Sequence, residues 1–306
     1  MKHRLIIMLG LCLAMFVGLS TVAEARAKTI AASSEYTTVD LPEVAPFSAL
    51  MVDGQTEVEF WQSTGNTYTV SLRGPKNLVD LVEVYSKDGV LAVHYKEPLV
   101  VLGDHHLRVA VMAPGLEQVT VKKNGEVKFT GPLNVQDLTI SVGGKGEVDF
   151  DAVQARAVRA DVYEDGEVDM ASLTCDTLQV DAKQTASFDA QQVNCDTIVA
   201  KSANRGNISI SGLNGRTITA ESHQSAEMEL KGKVGSATLT ARGRSELDAG
   251  SLQAQNADVM AESSARIDVR VSDTLNAQTQ GRGVVEYKGW PKQINRSGKG
   301  TVKQER

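Results

Sequence analysis

Apolar and polar residues alternate in short stretches along most of this chain, and the alternation recurs with a period close to twenty residues. A small residue, a polar one, an apolar one and usually an acid appear as Gly125-Glu126-Val127-Lys128, Gly146-Glu147-Val148-Asp149, Gly166-Glu167-Val168-Asp169 and Ala186-Ser187-Phe188-Asp189. The series continues through Gly206-Asn207-Ile208-Ser209, Ala226-Glu227-Met228-Glu229, Ser245-Glu246-Leu247-Asp248 and Ala265-Arg266-Ile267-Asp268, and closes with Gly283-Val284-Val285-Glu286 and Gly300-Thr301-Val302-Lys303. Its central apolar positions step by 21, 20, 20, 20, 20, 19, 20, 18 and 17 residues. Two further apolar columns keep the step: Leu138, Val158, Leu178, Ile198 and Ile218, and Val153, Leu173, Val193 and Leu213. Such stretches predict strands with one buried face, and the i, i+3, i+4, i+7 stripe of an amphipathic helix is missing.

A coil of this length cannot bury its apolar face alone and must stack on the next one. Parallel strands ~4.8 Å apart then give an all-β solenoid, a parallel β-helix of roughly ten rungs and ~45 Å. The stretch from Leu133 to Trp290 lacks proline, as strands that donate their N–H on a central ladder require. The small residue that opens each repeat reads as a tight bend, where glycine fits best. The leucine-rich repeat has a similar period, but its leucine and asparagine pattern is absent. Residues 118–303 form the repeat helix in this reading. Residues 45–117 alternate without the clean period and form an irregular β cap; residues 38–117 hold five of the seven prolines. Tyr287, Trp290 and Pro291 are expected to cover the far end, and residues 26–44 and 303–306 to be mobile.

The N-terminus reads differently. Met1-Lys2-His3-Arg4, the apolar run 5–20 and Ala23-Glu24-Ala25 predict a secretory signal peptide over residues 1–25. Its removal takes Lys2, Arg4 and Glu24 from 32 basic and 38 acidic residues, leaving 30 and 37, a charge of −7. That balance gives no basic excess for nucleic acid. No later stretch approaches the ~20 apolar residues of a membrane-spanning helix. The mature chain is therefore expected in the periplasm, on the cell surface or secreted.

Export places Cys175 and Cys195 in an oxidising compartment. Their spacing of 20 stacks them on adjacent rungs, within reach of a disulfide, or else as paired free thiols. The sharpest surface feature is acidic. Asp149, Asp169, Asp189, Glu229, Asp248, Asp268 and Glu286 form one outward column, broken by Ser209, beside a second of Glu126, Glu147, Glu167, Glu227 and Glu246. Like charges ~4.8 Å apart in water repel by ~0.9 kcal/mol per pair before screening. The columns are thus a hydrated face, or a surface for Ca²⁺ or a basic partner. Asp104-His105-His106 reads as a loop, because adjacent residues on an extended chain point to opposite faces. Hydrolase, zincin and Walker motifs are missing. Carboxylates such as Glu147 and Asp149 imitate a glycosidase pair, yet their repetition on nearly every rung argues for architecture. These residues predict a non-enzymatic protein. The alternative is a lyase- or hydrolase-like enzyme acting on polysaccharide, with Lys145, Arg205 or Arg244 as its base.

The chain resembles the putative auto-transporter adhesin, head GIN domain family. The resemblance rests on Phe47-Ser48-Ala49-Leu50-Met51-Val52-Asp53-Gly54, Glu57-Val58-Glu59-Phe60, Asn77-Leu78-Val79-Asp80 and Lys87-Asp88-Gly89-Val90-Leu91. It extends to Gly283-Val284-Val285-Glu286-Tyr287-Lys288-Gly289-Trp290-Pro291 and Ser297-Gly298-Lys299-Gly300. The family's G-S-G turns survive here as Gly144-Lys145-Gly146, Gly281-Arg282-Gly283 and Gly298-Lys299-Gly300. The resemblance implies a right-handed β-helix akin to pectin lyases without their catalytic residues, and an exported protein with a role in adhesion. A cell-surface or envelope glycan or protein, or a second copy of the chain, is the partner this reading expects.

Overall fold

A computed structural model describes residues 27–41, 44–103 and 105–305. The expected signal peptide, 1–25, lies outside the described residues. The rest is nearly all strand, wound into about 9 turns of a β-solenoid with roughly 20 residues per rung. Each regular coil has three strand faces. The first carries Gln118–Lys122, Asp137–Val142 and Ala157–Val162. The second carries 126–129, 147–150, Glu167–Met170 and Ser187–Ala190. The third carries the short segments 132–134 and 153–154, and begins Leu173–Gln184 and Val193–Asn204, which then bend onto the first face.

All three faces pair parallel with the coil before and after, with register shifts confined to the corner between the second and third faces in several coils and, once, to the bend beyond it. The central apolar column is one unbroken stack, Val127, Val148, Val168, Phe188, Ile208, Met228, Leu247, Ile267, Val285 and Val302. It is buried as far as Val285. Beside it, Phe60, Phe129 and Phe150 stack across three coils, with ring centroids 5.1 and 4.3 Å apart. Where the core narrows towards a turn it is filled by Ala182, Ser202, Ser222, Ala241 and Ala261. The two serines satisfy their hydroxyls internally: Ser202 Oγ donates to Ser222 Oγ at 3.2 Å, and Ser222 Oγ to the Ala226 carbonyl at 3.1 Å.

In every coil the left-handed residue of the turn stands two positions before the small one: Lys123, Gly144, Glu164, Gln184, Asn204, Gln224, Gly243, Ser263, Gly281 and Gly298 all have positive φ. The small residue is selected by space instead. A Cβ on Gly206 would lie 2.5 Å from the Ala182 carbonyl oxygen of the preceding coil, and one on Gly146 would lie 2.8 Å from Val121 Cγ1. Left-handed backbone costs a non-glycine residue ~1–2 kcal/mol. Long side chains in the column offset that cost by reaching back one coil. Gly144 N–H donates to Glu164 Oε2 at 2.7 Å, Glu164 N–H to Gln184 Oε1 at 2.9 Å and Asn204 N–H to Gln224 Oε1 at 3.0 Å.

The N-terminal end corrects the expectation of an irregular cap. Ala49–Asp53 lies between Val90–Tyr95 and Gln118–Lys122, and Glu57–Gln62 lies between Arg108–Ala113 and the 126–129 strand, parallel to its neighbours throughout. Residues 49–62 are therefore a regular coil inserted between later parts of the chain, and 90–113 form the outermost one. Beyond it the strands reverse. Val82–Lys87 runs antiparallel on Val90–Tyr95, Thr69–Pro75 on Arg108–Ala113, and Tyr36–Leu41 on Thr69–Pro75. Reversal needs only short connections and covers the exposed edge of the stack. The helix Lys76–Val79 buries Leu78 and Val79 at this end.

The segment expected to be mobile, 26–44, contains Lys28–Ala31, paired with Leu99–Leu102, as well as Tyr36–Leu41. Backbone pairing with later strands orders it, a long-range contact that local composition does not reveal. At the other end Gln293–Gly298 and Thr301–Gln304 complete a last, polar coil, so part of the expected tail is strand. Tyr287 is buried, but Trp290 is 86 % exposed and covers nothing.

Phe129 sits in the middle of the aromatic stack, so Phe129→Ala should lower stability by about 3–5 kcal/mol through lost contact and a residual cavity. The turn substitution Lys145→Ala should stay within about 0.5 kcal/mol. Urea denaturation of both variants checks the pair.

Candidate functional site

The outward residues of the second face form the predicted columns, and the structure lengthens them. One runs Glu57, Glu126, Glu147, Glu167, Ser187, Asn207, Glu227, Glu246 and Arg266. The other runs Glu59, Lys128, Asp149, Asp169, Asp189, Ser209, Glu229, Asp248, Asp268, Glu286 and Lys303. Alternation along each strand turns both outwards because the apolar residue between them faces the core.

Cations neutralise the two ends of this face. Arg108, from the outermost coil, reaches Glu57 at 2.7 Å and Glu59 at 3.0 Å. Arg266 holds Asp268 at 3.2 Å and Glu286 at 2.6 Å, and Lys303 meets Glu286 at 3.1 Å. Lys231 pairs with Glu229 at 2.6 Å. Among the described residues, Glu126, Glu147, Asp149, Glu167, Asp169 and Asp189 have no ion pair. Burial against the sheet, followed by their acidic neighbours, raises the carboxyls of Glu126 and Glu147 above the usual range. Burial raises Asp149 as well. Asp169 is pushed up to about 6, first by burial and then by Glu167, Asp149 and Asp189. Asp149, Asp151, Asp169 and Asp189 line a shallow groove of about 490 Å³ on this stretch.

Asp268, Glu286 and Glu305 bring one carboxylate oxygen each within 4.8 Å of the others. That is a metal-sized set of hard oxygen ligands. Arg266 and Lys303 already sit on Glu286, and Lys288 on Glu305 at 3.3 Å, so the cluster is an ion-pair network. His105 and His106 lie on a loop, as expected; His105 Nδ1 is 3.0 Å from the Gly103 carbonyl oxygen. Lys145, Arg205 and Arg244 stand exposed at turns of separate coils and pair with none of the column acids among the described residues.

Cys175 and Cys195 are register partners, both buried, with their sulfurs 2.6 Å apart as free thiols. The Cys175 thiol points at the Cys195 sulfur, and that contact, with burial, pushes Cys175 up. The same contact favours the thiolate of Cys195.

A third column escapes the sequence reading. Asn134, Gln154, Thr174, Asn194, Asn214, Lys233, Gln253, Arg270 and Lys288 stack on the outside of the third face and include no acid. Its distance from the central apolar residue is 7 at Asn134, 6 from Gln154 to Asn214, 5 at Lys233, 6 at Gln253 and 3 at Arg270 and Lys288, so the spacing is lost where its cations stand. Register shifts at the corner cause the drift.

These features define a parallel β-solenoid whose outer surface is organised in chemical columns. The chain belongs to the putative auto-transporter adhesin, head GIN domain family, whose sequence profile matches residues 46–211 and 191–291. Its fold is similar to the crystal structure of a putative adhesin from Parabacteroides distasonis (TM-score 0.54, 18 % identity, covering 91 % of this chain and 100 % of that one). A putative adhesin from Parabacteroides merdae is similar to the same degree (TM-score 0.54, 17 % identity, covering 92 % and 100 %). A putative lipid binding protein from Parabacteroides distasonis aligns at TM-score 0.49 and 17 % identity, over 91 % and 100 %. No curated protein matches the chain. No helix among the described residues is long and apolar enough to cross a membrane.

The unpaired acids carry a pH signature. Asp169 titrates near 6 in the fold against an ordinary value of 3.8. Between those values the folded chain keeps a proton that the unfolded chain has released, so stability falls as pH rises through the window. Asp169→Asn should therefore raise the thermal midpoint at neutral pH, with the gain vanishing towards pH 3.8. Midpoints of the two proteins that coincide at neutral pH would contradict this account.

Proposed function

We propose that this chain is an exported, non-catalytic binding protein that offers the flank of its solenoid to a cell-surface or envelope glycan or protein. One observation carries the reading: acids recur over most coils of the second face, whereas the outer column of the third face holds amides, a threonine and cations and no acid. Such a surface suits an extended partner gripped at repeated points. The adhesin family and the fold of its solved relatives support the same role. Ca²⁺ serves in this reading as the counter-ion of the acids from Glu147 to Asp189, which join no ion pair among the described residues.

A second reading draws on Asp169, whose carboxyl near 6 lies among other acids in a groove, as an acid catalyst's does. Polysaccharide-active chemistry on the second face would use it. One experiment separates the two: the mature protein is passed over immobilised bacterial and host polysaccharides while the eluate is assayed for freed sugar. Retention without release is expected, weakened by chelation of Ca²⁺. Reducing or unsaturated sugar in the eluate would replace the binding reading with the enzymatic one.

After export, thiol–disulfide exchange with an oxidised dithiol carrier, which leaves in its reduced form with the two electrons and two protons, closes a disulfide between Cys175 and Cys195 on adjacent coils, a step that their register and contact favour. Intact masses of the exported protein before and after reduction should differ by two hydrogens, and equal masses would remove the bond.

A further inference from the structure

Trp290 is 86 % exposed, the most of any large apolar side chain among the described residues. Its position is fixed by both neighbours. Gly289 has φ +92 and lies so close to the Val271 carbonyl that no side chain fits there. Pro291 follows, holding the backbone of Trp290 extended. The indole therefore stands on a stiff support, outside the coil.

It closes one end of a groove of about 630 Å³ on the third face, bordered by Asn214, Lys233, Gln253 and Arg270. Gly215 and Gly235 keep the floor low. No carboxylate among the described residues lines the groove. Among the described residues, Lys233 and Arg270 join no ion pair. Arg270 donates Nε–H to the Gly250 carbonyl at 3.1 Å, which anchors the guanidinium and leaves its terminal N–H groups free. Lys233 and Arg270 stand two coils apart in one column, about 10 Å at the spacing of stacked strands.

We propose that this groove binds an extended anionic polysaccharide. The inference rests on the binding-protein reading above and assigns its ligand class and location. A pyranose ring has an apolar C–H face, which packs on an exposed indole, and an edge of hydroxyls, which amides such as Asn214 and Gln253 recognise. Carboxylate or sulfate groups along the chain meet Lys233 and Arg270, where charge-assisted hydrogen bonds are strongest. An open trough parallel to the stacking direction lets a polymer run from coil to coil, with cations recurring along it. Where its acids carry no Ca²⁺, the second face repels the same ligand and favours contact through the third.

The test uses the mature chain carrying Trp61→Phe, so that Trp290 is its one tryptophan. Oligogalacturonate is titrated against indole emission, with dextran oligosaccharide and polyglutamate as comparisons. Oligogalacturonate should change the emission saturably, and the two comparison polymers should leave it unchanged. On immobilised polygalacturonate, Trp290→Ala and the double variant Lys233→Ala/Arg270→Ala should each weaken retention at least tenfold, while Glu117→Gln, at an exposed position outside both columns, does not. All these residues are exposed or part-exposed, and unchanged circular dichroism of the variants verifies folding. Retention that survives Trp290→Ala overturns the groove and leaves the binding reading intact. An equal response to polyglutamate overturns the saccharide assignment. No response to oligogalacturonate overturns the proposal, and absence of retention on every polysaccharide removes the broader glycan reading with it.

Discussion

Main-chain hydrogen bonds between coils govern this protein. At the start of the second face, Glu147 N–H donates to the Gly125 carbonyl at 3.0 Å, Glu167 to Gly146 at 2.9 Å, Ser187 to Gly166 at 2.9 Å and Asn207 to Ala186 at 2.9 Å. The ladder fixes both spacing and register, so each side chain has its own counterpart one coil above and one below. Every column must consist of residues that tolerate copies of themselves at ~4.8 Å. Apolar residues gain from that constraint through shared burial, as Phe129 does between Phe60 and Phe150. Turn residues gain too, because a glutamine or glutamate can satisfy the N–H of the turn before it. Acids lose, and the ladder holds them in place regardless.

The same ladder leaves unpaired groups at both ends, which the chain treats differently. At the N-terminal end the outermost coil is covered by antiparallel strands, and the coil of residues 49–62 is clamped on both sides by later sequence. Closure there depends on contacts far apart in the chain, which carry a larger loop-closure cost than the regular coils do. Among the described residues no further strand pairs with the C-terminal coil, and its own residues are mostly polar, a milder protection against edge-to-edge pairing.

What could be read from the sequence follows from this division. From Val127 to Val302 one residue type recurs at nearly constant spacing, so strands, stacking direction, buried column and acid columns are all legible. The first coils are not. Leu50 pairs with Leu91 and Val119, separations of 41 and 69 residues that belong to no repeat. Arg108 was invisible as a partner of Glu57 and Glu59 for the same reason. The third-face column was hidden by its drifting offset, and Trp290, an aromatic near the chain's end, looked like a lid. Only the backbone of Gly289 and the position of Val271 reveal that it projects. The small column was legible as a pattern but not in its cause, since left-handed geometry and close approach fall on different residues of the same turn.

A column architecture also changes where function can reside. A catalytic site needs one constellation unlike its surroundings, whereas the exposed acids of the second face recur on most coils. The uncompensated acids between Glu126 and Asp189 oppose stability, because their charges repel and their carboxyls are partly desolvated. The amide and cationic column on an adjacent face carries no such conflict within its groove. Two faces of opposite character along one axis give the solenoid a direction of approach: an anionic partner is turned away from one flank and drawn to the other. Affinity on such a surface grows by adding weak, equivalent contacts along the coils, each coil raising the effective concentration for the next. That additive logic is the binding counterpart of the hydrogen-bond ladder that builds the fold.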